Sequence, residues 1–224
     1  MRVERITKSQ AEEFVTKKHY SRRAPIFWEG FGLVIDGMIE GVAVYGQPSP
    51  PIQRHAFKER DFRLYELSRV VVQTDMKNAA SFLVGRSLQM LSEKPCAVVS
   101  YADSEWGHCG IIYQATNWAY TGSTVSHDHA YIVDGKRVHP MTLRDMGITD
   151  PKRWAKENGI KTSPPMAKHR YFCAVGSAKD KRRIMASLSY PAVKEYPKMD
   201  AARYEDGPRV EMKSETPPAQ GELF

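Results

Sequence analysis

Hydrophobic positions along this chain fall into short runs, some alternating and some continuous, separated by stretches with helical spacing. Residues 3–6 read as a short first strand. Thr7 and Gln10 form a capping box for a helix to about Lys18, with Ala11, Phe14 and Val15 on one face. Residues 27–35 and 38–45 read as two strands joined over Asp36-Gly37, a strong hairpin signal. Gln47-Pro-Ser-Pro-Pro51 breaks the sheet, and a basic loop runs on to Arg60. Residues 63–73 hold the run Leu67-Ser-Arg-Val-Val-Val72 and read as a central strand. Residues 78–91 follow as a helix, with Phe82, Leu83, Leu88 and Leu91 mostly inward.

The second half carries the most informative stretch, residues 100–122. An apolar run, residues 96–99, has the length of a buried strand and breaks into Ser100, Tyr101, Asp103 and Ser104. Ligands of α/β enzymes sit beyond strand ends, so hydroxyls and a carboxylate at such a tip are candidates for chemistry. Gly107 and Gly110 bracket a tight entry into a helix on which Ile111, Ile112, Ala115 and Trp118 share a face, and Tyr120-Thr-Gly122 closes it. Residues 129–134 and 136–139 form a second hairpin over Asp134-Gly135, and residues 141–155 a capped, mixed segment. Thr162-Ser-Pro-Pro165 is a break, residues 168–175 a last strand and residues 178–187 a short basic helix. The order is α+β. Beyond Pro191 the chain is rich in Pro, Glu, Lys and Asp without a period. The expected organisation is one catalytic domain over residues 1–190, with a disordered or loosely draped tail at 191–224.

Charge sharpens this picture. The net formal charge is +7, and it is unevenly spread. Residues 151–183 hold ten Lys or Arg against Glu157 and Asp180, whereas the last 34 residues hold five basic and seven acidic groups. The basic segment is interleaved with Trp154, His169, Tyr171 and Phe172, a composition suited to nucleic acid, with cations for phosphate and rings for stacking. The bland alternative is a solvated helix face beside a basic loop. Lys168, Arg170, Lys179, Lys181, Arg182 and Arg183 are the expected contacts. Cys96, Cys109 and Cys173 are odd in number and lack the paired spacing of a zinc site, so neither a disulfide framework nor a structural metal is expected. His127-Asp-His129 places two histidines on one strand face with no third ligand nearby, so no metal is assigned there either. The first residues, Met-Arg-Val-Glu-Arg-Ile, lack the apolar stretch of a signal peptide, and no run approaches the roughly 18 apolar residues of a membrane span. The expected compartment is the cytoplasm.

Four blocks, His19-Tyr-Ser21, Tyr65-Glu-Leu-Ser-Arg69, Ser100-Tyr-Ala-Asp103 and Gly107-His-Cys-Gly-Ile-Ile-Tyr-Gln-Ala115, stand in an order that, with the later Lys168-His-Arg-Tyr171, resembles an N-acyltransferase core of the GNAT type. More narrowly, the set resembles the Mom family of phage DNA-modification proteins. The resemblance implies a mixed central sheet with flanking helices, in which two neighbouring strands splay apart to admit an acyl donor. It also implies conversion of adenine to N6-carbamoylmethyladenine, which hides double-stranded DNA from restriction enzymes in the host cytoplasm.

Roles for single residues follow from chemistry and resemblance together. Arg69 lies in the middle of the strongest apolar run and is expensive there unless paired; it serves either a donor phosphate or carbonyl, or an ion pair with Glu66 or Asp103. Acyl transfer to an exocyclic amine needs a base, oxyanion donors and a proton for the leaving group. Asp103 suits orientation or deprotonation of the amine, and Ser100 and Tyr101 suit the oxyanion, unless the strip merely caps a turn. His19 and Tyr20 follow the first helix, where the resemblance places the acceptor, and suit base stacking or proton relay; a partly exposed loop pair is the bland reading. Tyr113 falls where many GNAT enzymes keep a tyrosine that protonates the leaving group, beside the alternative of core packing. Asn78 and Ser81 open the helix that would face a donor pyrophosphate. Lys77-Asn-Ala-Ala-Ser81 lacks the Gly-rich phosphate loop of coenzyme A enzymes, and Asn78 is equally well explained as a helix cap.

That departure bears on the donor. Carbamoylmethyl, CH2-CO-NH2, is an isomer of glycyl, CO-CH2-NH2, so a glycyl donor supplies every atom in one transfer, followed by a rearrangement. Glycyl-tRNA is therefore the favoured donor, with acetyl-CoA second, and tRNA becomes a possible partner beside DNA. Two other functions compete: an ordinary N-acetyltransferase acting on a protein or small amine, and a non-enzymatic DNA-binding protein.

Overall fold

The computed structural model describes residues 1–124, 129–163, 167–198 and 208–214. β1 (Arg2–Arg5) leads into α1 (Lys8–Lys18), whose N-terminus carries the Thr7–Gln10 capping box; β2 (Glu29–Ile35) and β3 (Met38–Gly46) follow. Asp36 and Gly37 both take positive φ, 49° and 79°, as a tight hairpin requires. The Pro-rich break holds a short helix, α2 (Pro50–His55), because Pro50 and Pro51 occupy first-turn positions where a missing N–H does no harm. Next come β4 (Arg63–Val72), α3 (Ala79–Met90), β5 (Cys96–Asp103), α4 (Ile111–Ala115) and β6 (Ala119–Ser123). The remainder runs β7 (Ala130–Val133), β8 (Lys136–Val138), α5 (Pro140–Asp145), α6 (Pro151–Glu157), β9 (Lys161–Ser163), β10 (Lys168–Val175) and α7 (Ala178–Ala186).

Seven strands form one mixed sheet in the order β1-β2-β3-β4-β5-β10-β6. β4 and β5 pair in parallel; the other neighbours in this sheet are antiparallel. α3 and α4 cover one face, where Leu83, Val84, Leu88 and Tyr113 meet Leu33, Tyr45, Leu67 and Val98. The other face packs α1 through Phe14 and Val15, and α2 and α7 through Ile52, Ala56 and Ile184. This α+β sandwich, with its mixed sheet and parted central pair, matches the expected fold class.

Three details depart from expectation. β5 continues through Asp103, so the polar residues belong to the strand itself. α4 ends at Ala115; Ile111 is half exposed, and Trp118, fully buried, lies beyond the helix. Residues 129–163 form a lobe of their own, in which the sheet β8-β7-β9 packs on α5 and α6 around Tyr131, Leu143 and Ala155. Residues 127 and 128 of the His127-Asp-His129 motif lie outside the described residues.

Part of the tail is draped. Gln73 clasps the backbone of Val210 from both sides, at 2.8 and 2.9 Å, and Met212 accepts a hydrogen bond from the Ile39 N–H. Val210 is buried beside α1, so residues 208–214 do supply a packing face, which composition alone did not suggest. No described helix is long and apolar enough to cross a membrane.

Candidate active site

The ladder between β4 and β5 runs from Arg63 opposite Cys96 to Leu67 opposite Ser100 and then stops, although both strands continue. The cause lies on the other side of β4. There the β3 partners shift from Tyr45 opposite Leu67 to Val44 opposite Arg69, leaving Ser68 as a bulge. The extra residue reverses the alternation of side chains. Tyr65, Leu67, Val70 and Val72 face α3, whereas Val71 packs with α1, and Arg69 goes with it.

Where the strands part, the free Leu67 carbonyl is taken by Ser100. The Ser100 Oγ lies 2.7 Å from that oxygen and 2.7 Å from the Tyr113 hydroxyl. The Ser100 hydroxyl donates toward both oxygens, so Tyr113 accepts from Ser100 and its own proton stays uncommitted. Both side chains are buried. Burial holds the Tyr113 phenol above its usual pKa, partly offset by Ser100, so it stays protonated at neutral pH.

A cleft of about 500 Å³ opens at this point and draws its walls from both sides of the sheet. His19 and Tyr20 enter from the end of α1, Val70 and Val72 line it from β4, and Ala80, Ile112 and Tyr113 come from the α3–α4 side. The turn after β5 closes it with Trp106, Gly107, His108 and Cys109. That turn needs its glycines. Gly107 and Gly110 sit at φ 70° and 78°, and a Cβ on Gly110 would lie 2.5 Å from the Tyr171 ring.

The α1 end of the cleft is aromatic. Tyr20 stacks against His19 at 4.1 Å between ring centroids, and lies 5.2 Å from Trp106 and 5.6 Å from His108. Ser21 donates its N–H to His19 Nδ1 at 3.1 Å, which leaves the ring proton on Nε2. Burial, then the positive charge of Arg69 and Lys168 and the neighbouring His108, push the His19 pKa down to about 3. His108 is lowered as well, by burial, with Asp103 opposing.

Residues 1–198 match the family described as the Mom protein family. The chain belongs to the Mom family. It is 32% identical over 151 residues to methylcarbamoylase mom of Escherichia phage Mu, a match covering 64% of this chain and 61% of that protein. A solved structure titled histone acetyltransferase HPA2 and related acetyltransferase, from Corynebacterium glutamicum, aligns with a TM-score of 0.34 and 16% identity over 73% of this chain and 72% of that one.

In this Mom-family chain the expected site residues divide into groups. Ser100 and Tyr113 come together, as do His19 and Tyr20, with Arg69 behind them. Tyr101 borders the same cleft, but its ring does not join them. Successive strand residues face opposite ways, so it packs against the α2–α7 cluster, where burial and the nearby Glu66 push its pKa up. Ser100 and Tyr101 therefore cannot aim their hydroxyls at one oxyanion. Asp103 pairs with Lys168 at 3.2 Å, and its carbonyl receives the His108 N–H at 3.1 Å.

Arg69 makes no ion pair among the described residues, against the pairing considered with Glu66 or Asp103. Its Nη1 donates to the Ser68 carbonyl at 2.7 Å, and its buried Nε has no hydrogen-bond partner. Burial lowers its pKa while Tyr20 and Glu66 oppose. Asn78 holds the N-cap position of α3 at φ 63°, yet its side chain makes no cap bond; its carbonyl accepts from the Ser81 hydroxyl at 3.0 Å. Both residues line a hollow that shares Val72, Ala80 and Ile112 with the cleft.

The expected nucleic-acid residues are scattered. Lys168 stands at the cleft end of β10. Arg170 is held by Thr121, Nε to Oγ1 at 3.0 Å, and lies 3.5 Å over the Tyr190 ring. Tyr171 and Phe172 are fully buried in a central strand and cannot stack on a base. Lys179, Lys181, Arg182 and Arg183 are exposed on α7, which starts where β10 leaves the opposite end of β5, Val175 pairing with Cys96. Arg183 pairs with Asp61 at 2.5 Å. Sequence reasoning passed over Trp106 and His108. The available signal was two large rings placed around a glycine in an otherwise polar turn.

Proposed function

We propose that this chain is a phage DNA-modification enzyme that converts adenine to N6-carbamoylmethyladenine, with the cleft between β4 and β5 as its active site. The observation that carries the reading is a cleft fed from both faces of the sheet, with a protonated Tyr113 held by Ser100 at its centre, in a chain of the Mom family. A donor enters on the α3–α4 side and the adenine from the α1 side. The N6 lone pair attacks the acyl carbonyl, neutral His108 takes the proton that the amine sheds, and Tyr113 returns a proton to the leaving oxygen. Asp103 raises the basicity of His108. Arg69 supplies positive charge to the oxyanion.

Glycyl-tRNA is the favoured donor, because glycyl and carbamoylmethyl are isomers and α3 opens without a Gly-rich phosphate turn. The ester bond to tRNA breaks and the amide to N6 forms. An intramolecular exchange of the two nitrogens at purine C6 then gives the product with no atom gained or lost. Acetyl-CoA stands second. Reaching N6 of a paired adenine requires extrusion of the base.

Expression in a restriction-free bacterium, followed by mass spectrometry of digested DNA, tests the reading. The expected result is a fraction of deoxyadenosine heavier by C2H3NO. A gain of C2H2O would identify simple acetylation, and unmodified adenine in the presence of soluble protein would overturn the assignment.

A further inference from the structure

The aromatic end of the cleft is built from two separate parts of the chain, the exit of α1 and the turn after β5, and the turn is fixed from several directions. The Cys109 carbonyl accepts from the Tyr171 hydroxyl and from Gln114 Nε2, the latter at 3.0 Å. The Gly107 N–H reaches the Ser104 carbonyl at 3.1 Å. A turn held this way presents the Trp106 and His108 rings at fixed positions, and both are only partly buried. Ring faces at the mouth of a cleft, preset at no further ordering cost, suit a flat partner.

The surroundings narrow that partner. Arg69 lies within electrostatic reach of both His19 and Tyr20, and Lys168 within reach of His19. Burial together with that field keeps His19 uncharged, and the field works equally against an ammonium ion seated beside it. A cationic amine, such as a lysine side chain, is therefore disfavoured despite the aromatic walls. A neutral heteroaromatic ring carrying an amino group meets no such opposition, and each base stacked on an aromatic platform gains substantially in binding.

We infer that Tyr20, Trp106 and His108 form a platform that receives an unstacked purine base and holds it against the cleft. The inference rests on the proposed function and adds what holds the acceptor, with Trp106 as its principal stacking face. His19, with its proton on Nε2, backs Tyr20 and fixes its ring.

The test uses 2-aminopurine deoxyriboside, a neutral fluorescent nucleoside whose emission is quenched on stacking, and requires no turnover. The full chain should quench it saturably, with competition by deoxyadenosine and none by methylammonium. Trp106→Ala should weaken this binding at least about tenfold, and Trp106→Phe should restore most of it, which loss of fold would not permit. Absence of saturable quenching by the wild type, or unchanged binding by Trp106→Ala and Tyr20→Ala, overturns the platform. Competition by methylammonium overturns it in favour of a cation cage. Failure of the functional reading shows itself separately, as unmodified adenine in cellular DNA.

Discussion

The two ends of α3 overlie two polar clusters of opposite character. Beneath its C-terminal end, Glu29 accepts from Arg5 at 2.6 Å, from the Tyr65 hydroxyl at 2.8 Å, and from the Ser92 hydroxyl and N–H at 2.9 and 3.2 Å. Donors from Arg5, Tyr65 and Ser92 converge there on one carboxylate. At the N-terminal end, beside the cleft, the polar groups are left with capacity to spare: Tyr113 accepts from Ser100 and keeps its own proton to give, and the buried Arg69 Nε has no partner among the described residues. A saturated cluster holds the fold together. An unsaturated one, buried at some cost, is where a ligand has something to complete.

The comparison is sharpest for activity. Ser100→Ala and Tyr113→Phe should each lower adenine modification at least about tenfold, about 1.4 kcal/mol of barrier. The double variant should be little worse than the poorer single one, since both remove the same hydrogen bond. Modification per folded molecule, measured by nucleoside mass spectrometry, checks this. Wild-type rates in both would return the pair to a packing role. Glu29→Ala is the contrasting change: it should cost about 1–3 kcal/mol in urea unfolding through the donors left unmatched, with the rate per folded molecule unaltered.

Acid should separate the two clusters as well. Burial alone would raise the Glu29 carboxyl, but its donors outweigh that and hold it below the ordinary 4.5. Its contribution is present above that value and is lost as pH falls through the lower folded one. His19 also loses stability on acidification, in a higher window. The unfolded chain takes up its proton near 6.5 and the folded one only near 3, so stability declines as pH drops below about 6.5. Thermal unfolding followed against pH should therefore flatten from pH 6.5 down to about 3 in His19→Gln, but only below about 4.5 in Glu29→Gln. A flattening of Glu29→Gln already between pH 6.5 and 4.5 would mean that the clusters are not independent.

The smallest effect is expected far from the cleft. Replacing Lys179, Lys181 and Arg182 together by glutamine should leave the rate at saturating DNA unchanged. The slope of log affinity against log salt should become shallower by at most about one for each phosphate that is no longer neutralised. Stability should shift by less than about 0.5 kcal/mol. A fall in the saturated rate would tie α7 to the cleft machinery and undo the contrast between the two regions.

Much of this arrangement is legible along the chain, because it depends on neighbours in sequence. The Thr7–Gln10 box starts α1, Asp36-Gly37 turns the first hairpin, and the stretch 168–175 after the Pro-Pro break reads as β10 with the bounds that it has. Gly107 and Gly110 mark a turn that only residues free to take positive φ can make. Caps, turns and side-chain periods are local, and local rules read them.

What decides the site is not local. A single bulge at Ser68 turns Arg69 to the α1 face and ends the ladder, and it exists only because β3 and β4 pair out of step. Ser100 and Tyr101 are adjacent in sequence and opposite in space, and the hydroxyl that completes Ser100 arrives from Tyr113, thirteen residues on. Val210 joins the core from a stretch whose composition reads as solvent-facing, because the Gln73 side chain takes its backbone groups and the first hairpin pairs with Met212 and Ser214. Sequence by itself determined which chemical groups this protein possesses and roughly where its strands and helices lie. Which groups meet was decided by strand register and by the face to which each alternation points, and both are set only when distant segments pair.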